Sequence, residues 1–290
     1  MDGPVMTGEA DRVLIFGLGY SGRAIAAAAR EAGFHVDGTS RSDTAGLLAF
    51  DAADAAIQAA THLVTTAAPD ESGDPVLARY APAIAAAPRL RWIGYLSSTT
   101  VYGNRDGGWV DEDTPVRPTQ LRGQRRVAAE DAWSRFGDRW PVDIFRLAGI
   151  YGPERSAFGD LRAGRARRMD KPGHCFGRIH REDIARAVVA AMLQHPPARR
   201  RVFNLTDDEP SESAAVVTEA AGLLGVPPPP IVAYADALPA MSPMARGFWA
   251  DNRRVANAKT KAALGIAWLY PTYREGLRAI LAEERGERLA

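Results

Sequence analysis

Three glycines, Gly17, Gly19 and Gly22, are spaced G-x-G-x-x-G in the stretch GLGYSG. That spacing suits the cradling of a dinucleotide: the glycines permit a tight turn and close backbone approach to a pyrophosphate, which a helix N-terminus then stabilises. Further on, TQLRGQRRVAAE at 119 to 130 places Arg122 and Arg126 four residues apart, so on a helix they share a face. Arginine stays protonated at physiological pH; such a pair donates hydrogen bonds and stabilises negative charge but is a poor proton shuttle. Tyr102, Tyr151 and His180 are the groups near strand ends that could exchange a proton, although such tyrosines also pack loops and such a histidine also serves as a structural hydrogen-bonding group.

The elements that must position these residues follow from the pattern of the chain. RVLIFG is an apolar run too short for a helix, and after the glycine stretch comes AIAAAAREAG, a helix former ending at Gly33. Strand, glycine turn and helix are the context in which the motif carries meaning, although a merely tight turn would use the same glycines. HVDGTS, HLVTTAA, LRWIGYLSS and PVDIFRLAGIYG are further strand-like runs separated by segments that can be helical. This alternation predicts a doubly wound parallel α/β sheet, whose strand C-terminal ends form the binding crevice.

Past about Pro153 the pattern loosens. Helices are expected at DIARAVVAAML and SAAVVTEAAGLL, a strand at RVFNL, and an extended polyproline spacer at residues 227–230. We expect a flexible leader at 1–11, a dinucleotide-binding core at 12–155, and at 156–290 a smaller interleaved substrate lobe that also carries the last core strands and helices. The basic run RAGRARRMDK, 162 to 171, is either an anion-receiving segment or a solvated helix face.

Cofactor preference is read at the end of the second strand. An NAD site would place an acid there for the ribose 2′-hydroxyl; the strand instead ends GTSR, with Ser40 and Arg41 offering a hydroxyl and a cation to a 2′-phosphate. NADP is therefore expected, with NAD as the alternative. Asp51 is placed to meet the adenine amino group, or serves as a simple turn or helix cap.

The 290 residues carry 36 basic and 35 acidic side chains, a net charge of +1 that gives no reason to expect a nucleic-acid partner. A lone cysteine, Cys175, and five histidines without metal-ligand spacing predict no disulfide and no metal site. No apolar stretch approaches the roughly 20 residues of a membrane span, and no signal peptide is apparent, so a cytoplasmic protein is expected.

With SSTTVYG at 97 to 103, RLAGIYGP at 146 to 153 and RIHREDIA at 178 to 185, the chain resembles the extended short-chain dehydrogenase/reductase family, which includes nucleotide-sugar epimerases and dehydratases. The resemblance runs over about residues 12 to 285. It implies that Gly17, Gly19 and Gly22 bind the cofactor and that Ser98 is the catalytic hydroxyl. It also implies a possible homodimer through a four-helix interface. In that family a tyrosine and a lysine of Y-G-x-x-K move the proton and bind the nicotinamide ribose. Their positions here are Arg122 and Arg126. The resemblance then implies that Arg126 holds the ribose and Arg122 stabilises substrate charge, with Tyr102 a candidate for the displaced proton chemistry. Alternatively, both arginines contact carboxylates such as Glu130.

Two further departures matter. The dehydratase Asp-Glu pair is replaced by Thr99 and Thr100, and the epimerase diphosphate arginine by Phe176, with Arg178 displaced by two. The chain is most similar to an atypical subgroup with R-G-x-x-R and an SPMAR segment, here Ser242 to Arg246. The expected function is an NAD(P)-dependent oxidoreductase or epimerase-like activity on a polar small molecule. The alternative is a catalytically inactive NADP(H)-binding regulatory or scaffold protein.

Overall fold

The structure is a computed structural model and describes residues 11–42 and 44–287. The expected leader falls outside the described residues except for Asp11, whose carbonyl accepts from the His35 N–H at 2.9 Å and whose carboxylate meets Arg91 at 3.1 Å.

The chain opens with β1 (Arg12–Phe16), α1 (Tyr20–Glu31), β2 (His35–Ser40), the two-residue β3 (Leu48–Ala49), α2 (Asp54–Ala59), β4 (His62–Thr65), α3 (Pro75–Ala85) and β5 (Trp92–Ser98). It continues through β6 (Trp109–Val110), α4 (Leu121–Ser134), β7 (Val142–Leu147), β8 (Gly149–Tyr151), α5 (Ala157–Arg162), β9 (Arg168–Asp170), β10 (Arg178–His180), α6 (Arg181–Met192) and β11 (Arg200–Leu205). The remaining elements are α7 (Ser213–Leu224), β12 (Ile231–Ala233), α8 (Tyr234–Ala237), α9 (Pro243–Ala250), β13 (Arg254–Val255), α10 (Ala258–Leu264) and α11 (Tyr273–Glu284). Seven strands form one sheet in the order β11-β7-β5-β4-β1-β2-β3, every neighbouring pair parallel.

A parallel sheet covered on both faces needs strands apolar on both sides, and β1 supplies this: Val13 and Ile15 enter one core, Leu14 and Phe16 the other. On the first face Ile25 of α1, Ile184 and Val188 of α6, and Trp268 close the layer. On the second, Ile57, Tyr80, Ile84 and Trp133 from α2, α3 and α4 do so. Gly33 ends the first helical segment with φ +90°, the left-handed conformation that glycine tolerates without Cβ strain.

The single strand expected over PVDIFRLAGIYG is two. The Ala148 N–H still bonds the Leu205 carbonyl of β11, but the Gly149 N–H turns to Gly177, so β8 leaves the sheet and pairs with β10 instead. Apolar runs do not reveal such a change of partner. The lobe around it is built from the small pairs β8–β10, β9–β12 and β6–β13 with α5, α7, α9 and α11. Residues 227–230 carry no regular structure and lead into β12. Among the described residues no helix is long and apolar enough to cross a membrane.

Candidate active site

The glycine turn is shaped by close contacts. Gly17 has φ +88°, and a Cβ there would lie 2.7 Å from Thr66 Oγ1, the hydroxyl that donates to the Gly17 carbonyl at 2.6 Å. A Cβ on Gly22 would sit 2.5 Å from the Gly17 carbonyl oxygen. Around a Cβ on Gly19 nothing among the described residues lies within 4 Å. Protein packing thus requires two of the glycines, while the third leaves its surface open, as close approach by a ligand demands. The N-terminus of α1 has no side-chain cap and no acid in its first turn, which leaves its amide donors and dipole available to an anion. These features fit a dinucleotide pyrophosphate.

At the end of β2, Ser40 Oγ accepts the Ser42 N–H at 3.2 Å, and Arg41 is exposed. The one acid of β2, Asp37, lies mid-strand and pairs with Arg12 at 3.2 Å, so it does not occupy the strand end where a ribose acid would stand. Asp51 is exposed in the single turn Phe50–Ala52.

The crevice proper lies at the C-terminal ends of β5 and β7. Ser98 ends β5, and its Oγ accepts from the Thr100 N–H at 3.2 Å and the Thr100 hydroxyl at 3.1 Å. The turn Thr99–Tyr102 that follows is approached closely by α4: a Cβ on Gly123 would fall 2.8 Å from the Thr100 carbonyl oxygen. The glycine of R-G-x-x-R is what allows α4 to come this near β5. Ser98 and Arg122 consequently line one cavity of about 350 Å³, together with Leu147, Arg155, Phe176, Phe248, Asp251 and Arg253.

The other residues singled out in the sequence lie elsewhere. Arg126 donates from Nη1 to the Tyr95 hydroxyl at 2.9 Å and the Leu96 carbonyl at 2.7 Å. Neither Arg122 nor Arg126 pairs with Glu130 among the described residues; that buried carboxylate instead takes Arg146 at 2.7 Å, Arg200 at 3.2 Å and the Ser97 hydroxyl at 2.6 Å. Tyr102 is not brought into the cavity. It is fully buried; its hydroxyl donates to Asn204 Oδ1 at 2.7 Å and accepts from Arg146 at 3.0 Å, and burial raises its pKa. A hydroxyl so held and so weakly acidic is a poor proton exchanger at neutral pH. An apolar-flanked tyrosine after a strand gives no hint in sequence of an asparagine 102 residues away.

Tyr151 is buried with its pKa raised, first by burial, and its hydroxyl points to the Thr272 carbonyl at 3.4 Å. His180 caps α6 by accepting the Glu182 N–H at 3.3 Å, and burial holds its pKa down at about 4. The Asp183 carboxylate accepts the N–H groups of Leu269 at 2.6 Å and Tyr270 at 3.0 Å, pinning the C-terminal segment. In the basic run, Arg162 meets Glu284 at 2.5 Å, Arg165 meets Asp160 at 3.2 Å, and Lys171 donates to the Trp249 carbonyl at 2.8 Å. Among the described residues no group of three or more histidines, cysteines, aspartates or glutamates could hold a metal ion.

Arg155, Asp251 and Arg253 were not legible as site residues. They reach the crevice from a loop after β8 and from the turn between α9 and β13, and only the fold makes them neighbours. Arg253 is largely buried: it donates to the Gly103 carbonyl at 3.1 Å and pairs with Asp251 at 3.4 Å, while Thr119 donates to the other Asp251 oxygen at 2.6 Å.

No family model and no curated protein matches the chain. Among solved structures, a functionally unknown conserved protein from Silicibacter pomeroyi is 43% identical, with a TM-score of 0.87 over 95% of this chain and 99% of that one. A proposed NAD-dependent epimerase/dehydratase from Methylobacillus flagellatus is 24% identical, with a TM-score of 0.73 over 96% of this chain and 100% of that one. A human epimerase family protein with NADPH is 19% identical, with a TM-score of 0.77 over 93% and 98%. At these lower identities the likeness is one of fold. The chain belongs to the same family as the Silicibacter pomeroyi protein, and its fold is that of the NAD-dependent epimerase/dehydratases of the extended short-chain dehydrogenase/reductase type.

Proposed function

We propose that the protein is an NADP(H)-dependent oxidoreductase or epimerase-like enzyme acting on a polar small molecule through a site that lacks the family tyrosine. One observation carries this reading: Ser98 and Arg122 line the same cavity at the C-terminal ends of β5 and β7. In a doubly wound sheet these ends flank the crevice in which ligands bind.

Gly17, Gly19, Gly22 and the N-terminus of α1 would hold the pyrophosphate, Ser40 and Arg41 the 2′-phosphate, and Asp51 the adenine amino group. The donors of Arg126 not engaged by β5 would take the nicotinamide ribose. Bound there, the nicotinamide supplies or accepts hydride. Ser98 holds the substrate oxygen, and Arg122 stabilises the negative charge that develops on it, an electrostatic contribution that needs no proton transfer from the arginine. Water in the half-open crevice delivers the proton.

A second reading, binding without turnover, is favoured by one specific feature: among the described residues no tyrosine, lysine or histidine lines the crevice. The two are separated by incubating the protein with NADPH and a panel of aldehydes, ketones and 2-oxo acids while following nicotinamide oxidation. Turnover that falls at least tenfold in both Ser98→Ala and Arg122→Ala is expected. NADPH that stays bound and unoxidised across the panel favours the binding protein, and turnover indifferent to both substitutions contradicts the site assignment.

A further inference from the structure

We infer that this crevice is built for a small organic anion, a carboxylate or a phosphate monoester, held between Arg122 and Arg253 beside Ser98. The inference rests on the crevice being the substrate site and adds the substrate's charge and size.

The charges lining the cavity do not balance. Among the described residues Arg122, Arg155 and Arg253 line it with Asp251 as the single carboxylate, and Asp251 is already engaged by Arg253 at 3.4 Å and the Thr119 hydroxyl at 2.6 Å. Among the described residues no carboxylate lies within ion-pair distance of Arg122 or Arg155; the guanidinium of Arg155 instead lies 5.7 Å from the Tyr20 ring centre. Arg253 has a side chain only 13% exposed, and its Nε is buried without a hydrogen-bond partner among the described residues. An unpartnered donor of this kind is costly unless a ligand or water completes it. Burial lowers the Arg253 pKa; the Asp251 carboxylate opposes that shift and the nearby Arg122 charge adds to it.

The surroundings add to the same field. Arg122 sits in the first turn of α4, whose N-terminus has no side-chain cap and no acid, so the positive end of that helix reinforces the arginine. Apolar side chains also line the cavity: Phe176 and Phe248, stacked with centroids 4.7 Å apart, and Leu147, Ile150 and Val255. A cavity of about 350 Å³ stands at the low end of the range for small-molecule sites, about 300–1,000 Å³, which suits a short acid with an apolar portion and not a nucleoside diphosphate.

The test uses matched pairs on the intact protein: propionate against propionamide, and glycerol 3-phosphate against glycerol, titrated calorimetrically with and without saturating NADPH. The expected result is that in at least one pair the anion binds at least tenfold more tightly than its neutral partner, and which pair responds identifies carboxylate or phosphate. Arg122→Gln, at an exposed position, should then weaken that anion about tenfold to a hundredfold, in line with loss of a charge-assisted contact. Arg253→Lys keeps the charge but removes the guanidinium geometry and should weaken it less than Arg122→Gln does. Equal binding of anion and neutral partner in both pairs, no binding of any of the four, or anion binding unaffected by Arg122→Gln overturns the inference. Failure of NADPH to bind while the anion preference persists would instead overturn the cofactor reading and leave the anion site standing.

Discussion

Arg126 Nη1 donates to Tyr95 Oη at 2.9 Å and to the Leu96 carbonyl at 2.7 Å, so this arginine braces α4 against the strand that ends in Ser98. The side chain therefore has a structural role beside the ribose contact proposed for it. Arg126→Ala is expected to weaken NADPH binding by about 1.5–3 kcal/mol, roughly ten- to a hundredfold, and to lower the melting temperature as well. Arg122→Ala should leave NADPH affinity nearly unchanged. Fluorescence titration and thermal melting of both variants check this. A lower melting temperature for Arg126→Ala at unchanged NADPH affinity would make the brace its whole function.

The buried pair Glu130–Arg146 and the hydroxyl of Tyr102 form a polar network under the crevice, and its parts should respond differently to truncation. Glu130→Ala leaves Arg146 buried without its counter-ion and is expected to cost about 3–5 kcal/mol in urea unfolding. Tyr102→Phe removes one hydrogen-bonding hydroxyl and should cost about 1–3 kcal/mol without changing NADPH affinity or any turnover found. Loss of turnover in a Tyr102→Phe protein of wild-type stability would return that tyrosine to the reaction.

Three histidines, His62, His174 and His180, are each held by burial at a pKa of about 4. In the unfolded chain each takes up a proton near pH 6.5, but in the folded protein only near 4, so between these values the unfolded state binds more protons. Their contribution is fully present above about pH 6.5 and is lost progressively as the pH falls toward about 4, by up to about 3 kcal/mol for each histidine. Asp207, raised by burial to about 8, acts with the opposite sign, favouring the folded state at low pH. A single-site comparison therefore isolates the effect. His180→Asn keeps an acceptor for the Glu182 N–H but cannot titrate, so it should lose less stability than the wild type between about pH 7 and about pH 4.5. Identical losses in denaturant titrations at the two pH values would contradict the account.

Much of the architecture was legible because its signals are local. The buried run of β1, the glycine turn and the alanine-rich α1 follow one another with the periodicity of their elements; β1 keeps its expected bounds, while α1 begins at Tyr20, inside the glycine stretch, and not at Ala24. The departure of β8 from the sheet was not legible, since Ala148 and Gly149 look no different in sequence from residues that continue a strand. For the site, Ser98 and Arg122 could be expected together because each lies beside a recognisable motif. Arg253 and Arg155 could not, because they belong to loops that only the packing of the lobe carries to the strand ends. Tyr102 failed for the complementary reason: proximity to a strand end says nothing about which way a ring turns, and here it turns inward to Asn204.

If the turn at Gly17 to Gly22 and the end of β2 form the NADP(H) site proposed above, the ratio of NADPH to NADH affinity in the wild type and in Arg41→Glu reports it. Loss of a charge-assisted contact to the 2′-phosphate is worth about 1.5–3 kcal/mol, so NADPH should bind roughly ten- to a hundredfold more tightly than NADH in the wild type. Arg41→Glu should abolish or reverse that preference. Equal affinities in the wild type, or a preference for NADPH that survives Arg41→Glu unchanged, would contradict it.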